Sequence, residues 1–183
     1  MWKKLKKKMN LIAHENITFE EAINLTTNFI EQIPQLSESE KSSIVSSLVL
    51  TENGARGFFV TYLTHENSIV DGVSSGIIEG LKTSPEIVSE LLVKNVAMST
   101  AMKITHTRNN NLEMAEKSYG VTQRSLMLIN KLSLPQSNEK IISLTNTIKD
   151  KKGVYQDFLN RWGYDDEQKQ TILDIFNKNE FSI

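Results

Sequence analysis

Cysteine is absent from this chain of 183 residues, which excludes disulfide bonds, thiolate zinc sites and thiol nucleophiles. Proline and glycine are scarce, at three and eight residues, which disfavours a loop-rich β-sandwich and favours long regular elements. The three histidines are His14, His65 and His106, and no two of them have the spacing of metal ligands. From these absences we expect no metal site and no cofactor.

Motifs that commonly mark a catalytic site are also missing. Gly54 and Gly57 lack the Lys-Ser/Thr that completes a phosphate-binding loop, and no nucleophile elbow is present. Serine is abundant, but no histidine accompanies it in a recognisable catalytic order. The sequence indicates no particular reaction, so we expect a protein that is not an enzyme.

Long uncharged apolar runs do not occur in the sequence. The most apolar stretch, residues 87–104, contains Glu90, Lys94 and Lys103. A membrane-spanning helix needs about 20 nearly uncharged residues, and a secretory signal needs an apolar run of about 7–15 residues. We therefore expect a cytoplasmic protein without a transmembrane helix.

Positive charge is concentrated in the first nine residues, which contain five lysines: Lys3, Lys4, Lys6, Lys7 and Lys8. Removing these five charges from the net charge of −1 leaves −6 for the rest of the chain. Trp2, Leu5, Met9 and Ile12 share one face if this segment is helical, and such a helix can contact an anionic membrane surface or nucleic acid. The alternative is a frayed terminus or an apolar edge that docks on the core. We treat residues 1–16 as a basic N-terminal segment and residues 17–183 as a single helical domain.

Apolar residues at helical spacing predict about eight helices and no convincing sheet. Capping boxes begin three of these helices, with Thr18 and Glu21, Ser37 and Glu40, and Asp165 and Gln168 as the paired residues. Ser84-Pro85 begins the longest helix, residues 85–108, which we expect to be the central element of the core. Residues 55–64 are rich in β-formers, but a lone strand has no partner, so we assign them to a helix. The predicted fold is all-α, a single compact domain of helical hairpins around a long central helix.

Three glycines recur every four residues in the segment 67–81: Gly72, Gly76 and Gly80. A glycine in a helix interior costs about 1 kcal/mol relative to alanine, so such a row on one helix face needs a reason. We expect another helix to pack very close to this face. The alternative is a groove that binds a ligand or a partner peptide.

Residues 112–132 (LEMAEKSYGVTQRSLMLINKL) resemble a helix-turn-helix DNA-binding unit. Gly120 aligns with the turn glycine of that family, whereas Glu116 occupies a position where the family has a small residue. The resemblance implies that Gln123, Arg124 and Asn130 face the major groove, where Gln pairs with adenine and Arg with guanine. It also implies a kink at Gly120 and an exposed Arg124.

The alternative interpretation of the same segment is one continuous amphipathic helix that tolerates Gly120. Its buried face would consist of the apolar residues at helical spacing, which are Leu112, Ala115, Tyr119, Leu126 and Ile129. The two interpretations make different predictions for the backbone at Gly120.

Polar residues surround two glycines in the segment ENGARGFF, residues 52–59. Glu52, Asn53 and Arg56 could form a polar ligand pocket in which Arg56 binds a carboxylate or a phosphate. The alternative is that Arg56 caps helix carbonyls or pairs with Glu52.

The function that these observations favour is a non-enzymatic helical interaction or regulatory module, which self-associates or binds a partner protein. Two alternatives stay open. One is a DNA-binding regulator that uses residues 112–132, and the other is a helical bundle that binds a small molecule.

Overall fold

A computed structural model of the chain describes residues 10–179, which form nine α-helices, two short 3-10 helices and no strand. The prediction of an all-α single domain is confirmed. The lysine-rich residues 1–9 lie outside the described part, so the interpretations of Lys3, Lys4, Lys6, Lys7 and Lys8 stay predictions. The helices are α1 (Phe19–Gln32), α2 (Glu38–Val49), α3 (Glu52–Thr64), α4 (Ser75–Lys82), α5 (Pro85–Arg108), α6 (Leu112–Leu132), α7 (Pro135–Asp150), α8 (Gln156–Trp162) and α9 (Asp166–Lys178).

The three predicted capping boxes are present at the starts of α1, α2 and α9. At α1, the Thr18 hydroxyl accepts from the Glu21 N–H at 3.2 Å, and a Glu21 carboxylate oxygen accepts from the Thr18 N–H at 2.8 Å. Each box satisfies backbone donors that the first turn of a helix leaves free. Helix α5 begins at Pro85, as predicted, although Ser84 before it makes no side-chain capping bond.

The β-rich segment 55–64 lies within α3, as the missing partner strand predicted. Its aromatic side chains fill the core, where the Phe58 and Tyr62 rings stack at 5.1 Å between centroids. Helix α3 lies close to α1 at Gly57, where a Cβ would come within 2.8 Å of the Phe19 carbonyl oxygen. Gly57 therefore serves close helix packing.

The predicted glycine row is partly wrong. Gly72 ends a 3-10 turn (Ser68–Asp71) and is exposed, so it does not belong to α4. Gly76 and Gly80 do face another helix, since a Cβ on Gly76 would lie 2.9 Å from Glu38 Cα and one on Gly80 would lie 2.7 Å from Val45 Cβ. The close neighbour of α4 is therefore α2, and only two of the three glycines make the contact.

The Glu38 carboxylate joins the start of α2 to the start of α4. It accepts from the Gly76 N–H at 2.5 Å, from the Ser75 hydroxyl at 3.1 Å and from the Lys41 ammonium at 2.7 Å. These bonds lower the pKa of Glu38 from 4.5 to about 2. The bond from Lys41 is the largest cause, and the bond from the Gly76 N–H is the next. An acidic side chain from a distant part of the sequence thus caps α4, which explains why that helix begins at Ser75.

Helix α5 lies at the centre, as predicted, and contacts α3, α4, α6, α7 and α9. Its most extensive neighbour is α6. The Ser99 and Thr122 hydroxyls form a buried hydrogen bond at 2.7 Å across this contact. Within residues 10–179, every helix is too short or too polar to traverse a lipid bilayer.

The two kinds of helical glycine predict opposite effects of an added methyl group. We expect Gly76→Ala to lower the free energy of unfolding by about 1–3 kcal/mol, because its Cβ would overlap the backbone of Glu38. We expect Gly120→Ala to raise it by about 0.5–1 kcal/mol, because no atom lies within 4 Å of a Cβ at Gly120. Urea unfolding followed by circular dichroism measures both, and equal changes in the two variants would contradict the packing described here.

The lowered pKa of Glu38 predicts a loss of stability in acid. Because the folded pKa is about 2 and the reference value is 4.5, its contribution is complete above the reference value and is lost as the pH falls towards 2. For Glu38→Gln we expect a lower free energy of unfolding at neutral pH. We also expect that free energy to decline less steeply than in wild type as the pH falls from 4.5 to about 2. The control is Glu79→Gln, which removes an exposed carboxylate on α4, and an unchanged decline in Glu38→Gln would contradict the prediction.

Candidate functional site

Residues 112–132 form one uninterrupted α-helix, α6. The predicted helix-turn-helix is therefore wrong, and the alternative of a continuous helix is confirmed. Gly120 lies in the middle of this helix and makes no turn. The helix is capped at its start by the Asn111 side chain, which accepts from the Met114 N–H at 3.2 Å.

Burial along α6 changes at its midpoint. In the second half Leu126 and Ile129 are buried, as predicted, and belong to the main core. In the first half only Ala115 is buried, whereas Leu112 is 67% exposed and Tyr119 is 40% exposed, so the prediction that both are buried is wrong. The physical reason is that Leu112 lies in the first turn of α6 and that Tyr119 borders a cavity between α5, α6 and α9.

Arg124 points into the molecule and not towards a DNA groove. Its Nε donates to the Asp71 carboxylate at 2.8 Å, and one Nη donates to the carbonyl oxygens of Leu63 at 3.1 Å and His65 at 2.7 Å. The side chain is 18% exposed, so the predicted exposure of Arg124 is wrong. Arg124 therefore fixes the C-terminal end of α3 and the following turn against α6, while Gln123 and Asn130 remain exposed on the surface.

A cavity of about 500 Å³ lies between α5, α6 and the C-terminal end of α3. Three methionines line it, Met98 and Met102 from α5 and Met114 from α6, together with Leu63 and Val121. We call this cavity the methionine groove. Met102 and Met114 are 40% and 38% exposed, so the groove is open to solvent beside them.

Helix geometry explains how α5 forms one wall of the groove. Its lining residues are Asn95, Met98, Ser99 and Met102, which are spaced at i, i+3, i+4 and i+7 and so share one face. Seven residues of helix correspond to a length of about 10 Å. On the facing wall Gly120 contributes no side chain, and the space where a Cβ would lie is empty to 4 Å. The absent side chain widens the groove.

Polar groups border the groove without closing it. The Lys117 ammonium pairs with Glu113 at 2.9 Å, and Nδ1 of His65 accepts from the Asn67 N–H at 3.1 Å. The Asn95 side-chain amide has no hydrogen-bond partner among residues 10–179, because only its backbone carbonyl accepts a bond, from Ser99. The groove thus combines largely apolar walls with one half-buried amide that has no protein partner among the described residues.

A second, smaller cavity of about 280 Å³ lies between α5, α6 and α9. The Lys103 ammonium lies 4.2 Å from the centre of the Tyr119 ring at its border. Arg108 donates to the Asp165 carboxylate at 2.6 Å and also pairs with Glu167, which joins the end of α5 to the start of α9. The cations of this cavity already have partners, so we place the candidate site in the methionine groove.

The polar segment 52–59 has its side chains in different surroundings. The Arg56 guanidinium lies 5.3 Å from the centre of the Phe19 ring, whereas Glu52 borders a shallow cavity with Lys94 and Lys140. Asn53 is exposed. The ligand pocket predicted for Glu52, Asn53 and Arg56 thus gains no support from their positions. Within residues 10–179, no group of three acidic or histidine side chains could hold a metal ion.

The sequence interpretation missed the methionine groove because methionines at helical spacing normally indicate a buried core. Four of the six methionines fall between residues 98 and 127, and this clustering around an unexplained helical Gly120 was the available signal. Asn95 had no sequence signal, since a single polar residue on a long helix is usually solvated.

One protein-family model matches residues 18–179, and its description is "Uncharacterised conserved protein UCP020893". The match spans all nine helices described above. No curated protein and no solved structure matches the chain.

The inward position of Arg124 predicts a structural effect of its removal. We expect Arg124→Ala to lower the free energy of unfolding by about 2–4 kcal/mol, because the Asp71 carboxylate and two carbonyl oxygens lose a charged donor. Arg124→Lys should recover only part of this loss, since one ammonium cannot reproduce the planar fork of donors. Urea unfolding measures both, with exposed Gln123→Ala as the matched control, and an Arg124→Ala variant as stable as the control would contradict the assignment.

Proposed function

We propose that this chain, which belongs to the family of uncharacterised conserved protein UCP020893, is a non-enzymatic helical module that binds an apolar segment of a partner protein in its methionine groove. The observation that carries the proposal is the concentration of exposed apolar side chains at one end of the α5–α6 pair. Among the described residues, ten large apolar side chains are exposed, and four of them lie here: Met102, Leu112, Met114 and Tyr119.

The chemistry of methionine supports a protein partner. Methionine side chains are flexible and polarisable, so a methionine-lined surface adapts its shape to different apolar side chains of a partner. Apolar patches that a soluble protein leaves exposed commonly mark interaction sites. The first half of α6 retains such side chains although it contributes only Ala115 to the buried interior, which favours a role outside the core.

The small-molecule alternative is favoured less by the same geometry. A cavity of about 500 Å³ has the size of a small-molecule site. However, sites of that kind bury most of their ligand, whereas two of the three methionines here are exposed by more than a third. A partner protein would cover both the groove and the neighbouring Leu112, which a small ligand would leave in water.

The residues that motivated the DNA-binding alternative do not have the positions that it requires. Arg124 is engaged with Asp71, and Gly120 lies inside a continuous helix. The first half of α6 carries Glu113 and Glu116 as well as Lys117, so it presents no basic face of the kind that phosphate binding needs.

Selection of peptides on the groove tests the proposal. A phage-displayed library of random peptides is selected on the immobilised full chain, and enriched peptides are then titrated against purified variants. We expect enriched peptides to share bulky apolar residues and to bind Gly120→Leu at least about tenfold more weakly, because the added side chain occupies the groove.

The matched control is Gln123→Leu, which adds the same side chain at an exposed position of α6 outside the groove. It should leave peptide affinity unchanged, which separates loss of the groove from a general effect of leucine on the helix. Enriched peptides that bind wild type, Gly120→Leu and Gln123→Leu equally well would refute the proposed function.

A further inference from the structure

Asn95 places a polar amide, open to solvent and without a protein partner in the described part of the chain, on the methionine-lined wall of the groove. It is half-buried and lies on the same face of α5 as Met98 and Met102. Its side-chain amide finds no hydrogen-bond partner within residues 10–179. On the facing wall the Ser118 hydroxyl is also without a partner in this part of the chain, since only its backbone carbonyl accepts, from Thr122.

Any occupant of the groove must satisfy these groups, because it displaces the water that now solvates them. A carboxamide has two N–H donors and one carbonyl acceptor, which is the pattern that complements a peptide group. Leaving such an amide covered and unpaired costs free energy that weakens the binding of a purely apolar occupant. An occupant that brings both a donor and an acceptor avoids this cost.

We infer that Asn95 is a specificity-determining residue that forms hydrogen bonds with a backbone peptide group of an extended apolar segment of the partner. This inference rests on the proposed function and adds the conformation of the bound segment. An α-helical segment would present satisfied backbone groups and apolar side chains, and it would leave Asn95 without a partner. An extended segment has free N–H and C=O groups and so provides the missing bonds.

The dimensions of the groove agree with a short extended segment. The α5 wall from Asn95 to Met102 is about 10 Å long, because each residue of a helix advances about 1.5 Å. An extended chain advances about 3.3 Å per residue, so about three residues span the wall. Their side chains would contact the methionines while one peptide group lies beside Asn95.

Methionine methyl groups provide a direct readout of this contact. The full chain is labelled with ¹³C at its six methionine methyls and titrated with N-acetyl-leucyl-leucine methylamide. A second titration uses the depsipeptide analogue, in which an ester oxygen replaces the central N–H. Met98, Met102 and Met114 line the groove, whereas Met127 packs against the core and is the internal control.

For wild type we expect the amide probe to shift Met98, Met102 and Met114 and not Met127. The depsipeptide should bind about tenfold more weakly, because it lacks the donor that the Asn95 carbonyl accepts from. Asn95→Leu should bind both probes alike, whereas Asn95→Asp should still distinguish them, because its carboxylate also accepts from the central N–H of the amide probe.

The outcomes separate this inference from the proposed function. If both probes shift the groove methionines of wild type with equal affinity, the role of Asn95 is refuted while the groove remains a binding site. If discrimination persists in Asn95→Leu, the donor and acceptor lie elsewhere and the inference is also refuted. If neither probe shifts the groove methionines of wild type, both proposals are overturned.

Discussion

The contact between α5 and α6 holds the two longest helices of the described chain side by side, and the other features of the candidate site depend on it. The buried Ser99–Thr122 hydrogen bond joins the two helices. Helix α6 is continuous through Gly120, and its second half belongs to the core, whereas its first half buries only Ala115. The methionine groove is the space that remains between this extended pair and the end of α3.

Rigidity and openness are combined at this site in a way that suits recognition. Arg124 fixes one end of the groove through Asp71 and two carbonyl oxygens, so that the α3 wall keeps its position. Met102 and Met114 at the other end are partly exposed and can adopt several rotamers. Because the α3 wall is already fixed, little conformational entropy is lost there on binding. The flexible methionines can meanwhile adjust to apolar groups of different shape.

The sequence was sufficient for the features that depend on neighbouring residues. Capping boxes such as Thr18 with Glu21 are local, and the missing partner strand was enough to assign residues 55–64 to a helix. It was insufficient wherever a distant residue decides the outcome. Glu38 determines where α4 begins and so removes Gly72 from the predicted glycine row, although it lies 38 residues before Gly76. The exposure of Tyr119 likewise depends on which helices cover α6.

The openness of the methionine groove is the central claim, and solvent paramagnetic relaxation of methionine methyl groups measures it most directly. A neutral gadolinium chelate is added to the ¹³C-methyl-labelled full chain without any ligand, and the relaxation of each methyl resonance is compared. Strong relaxation of Met102 and Met114, with weak relaxation of Met127, is the result that this account predicts. Equal protection of all three would mean that the groove is closed in solution and would contradict the account.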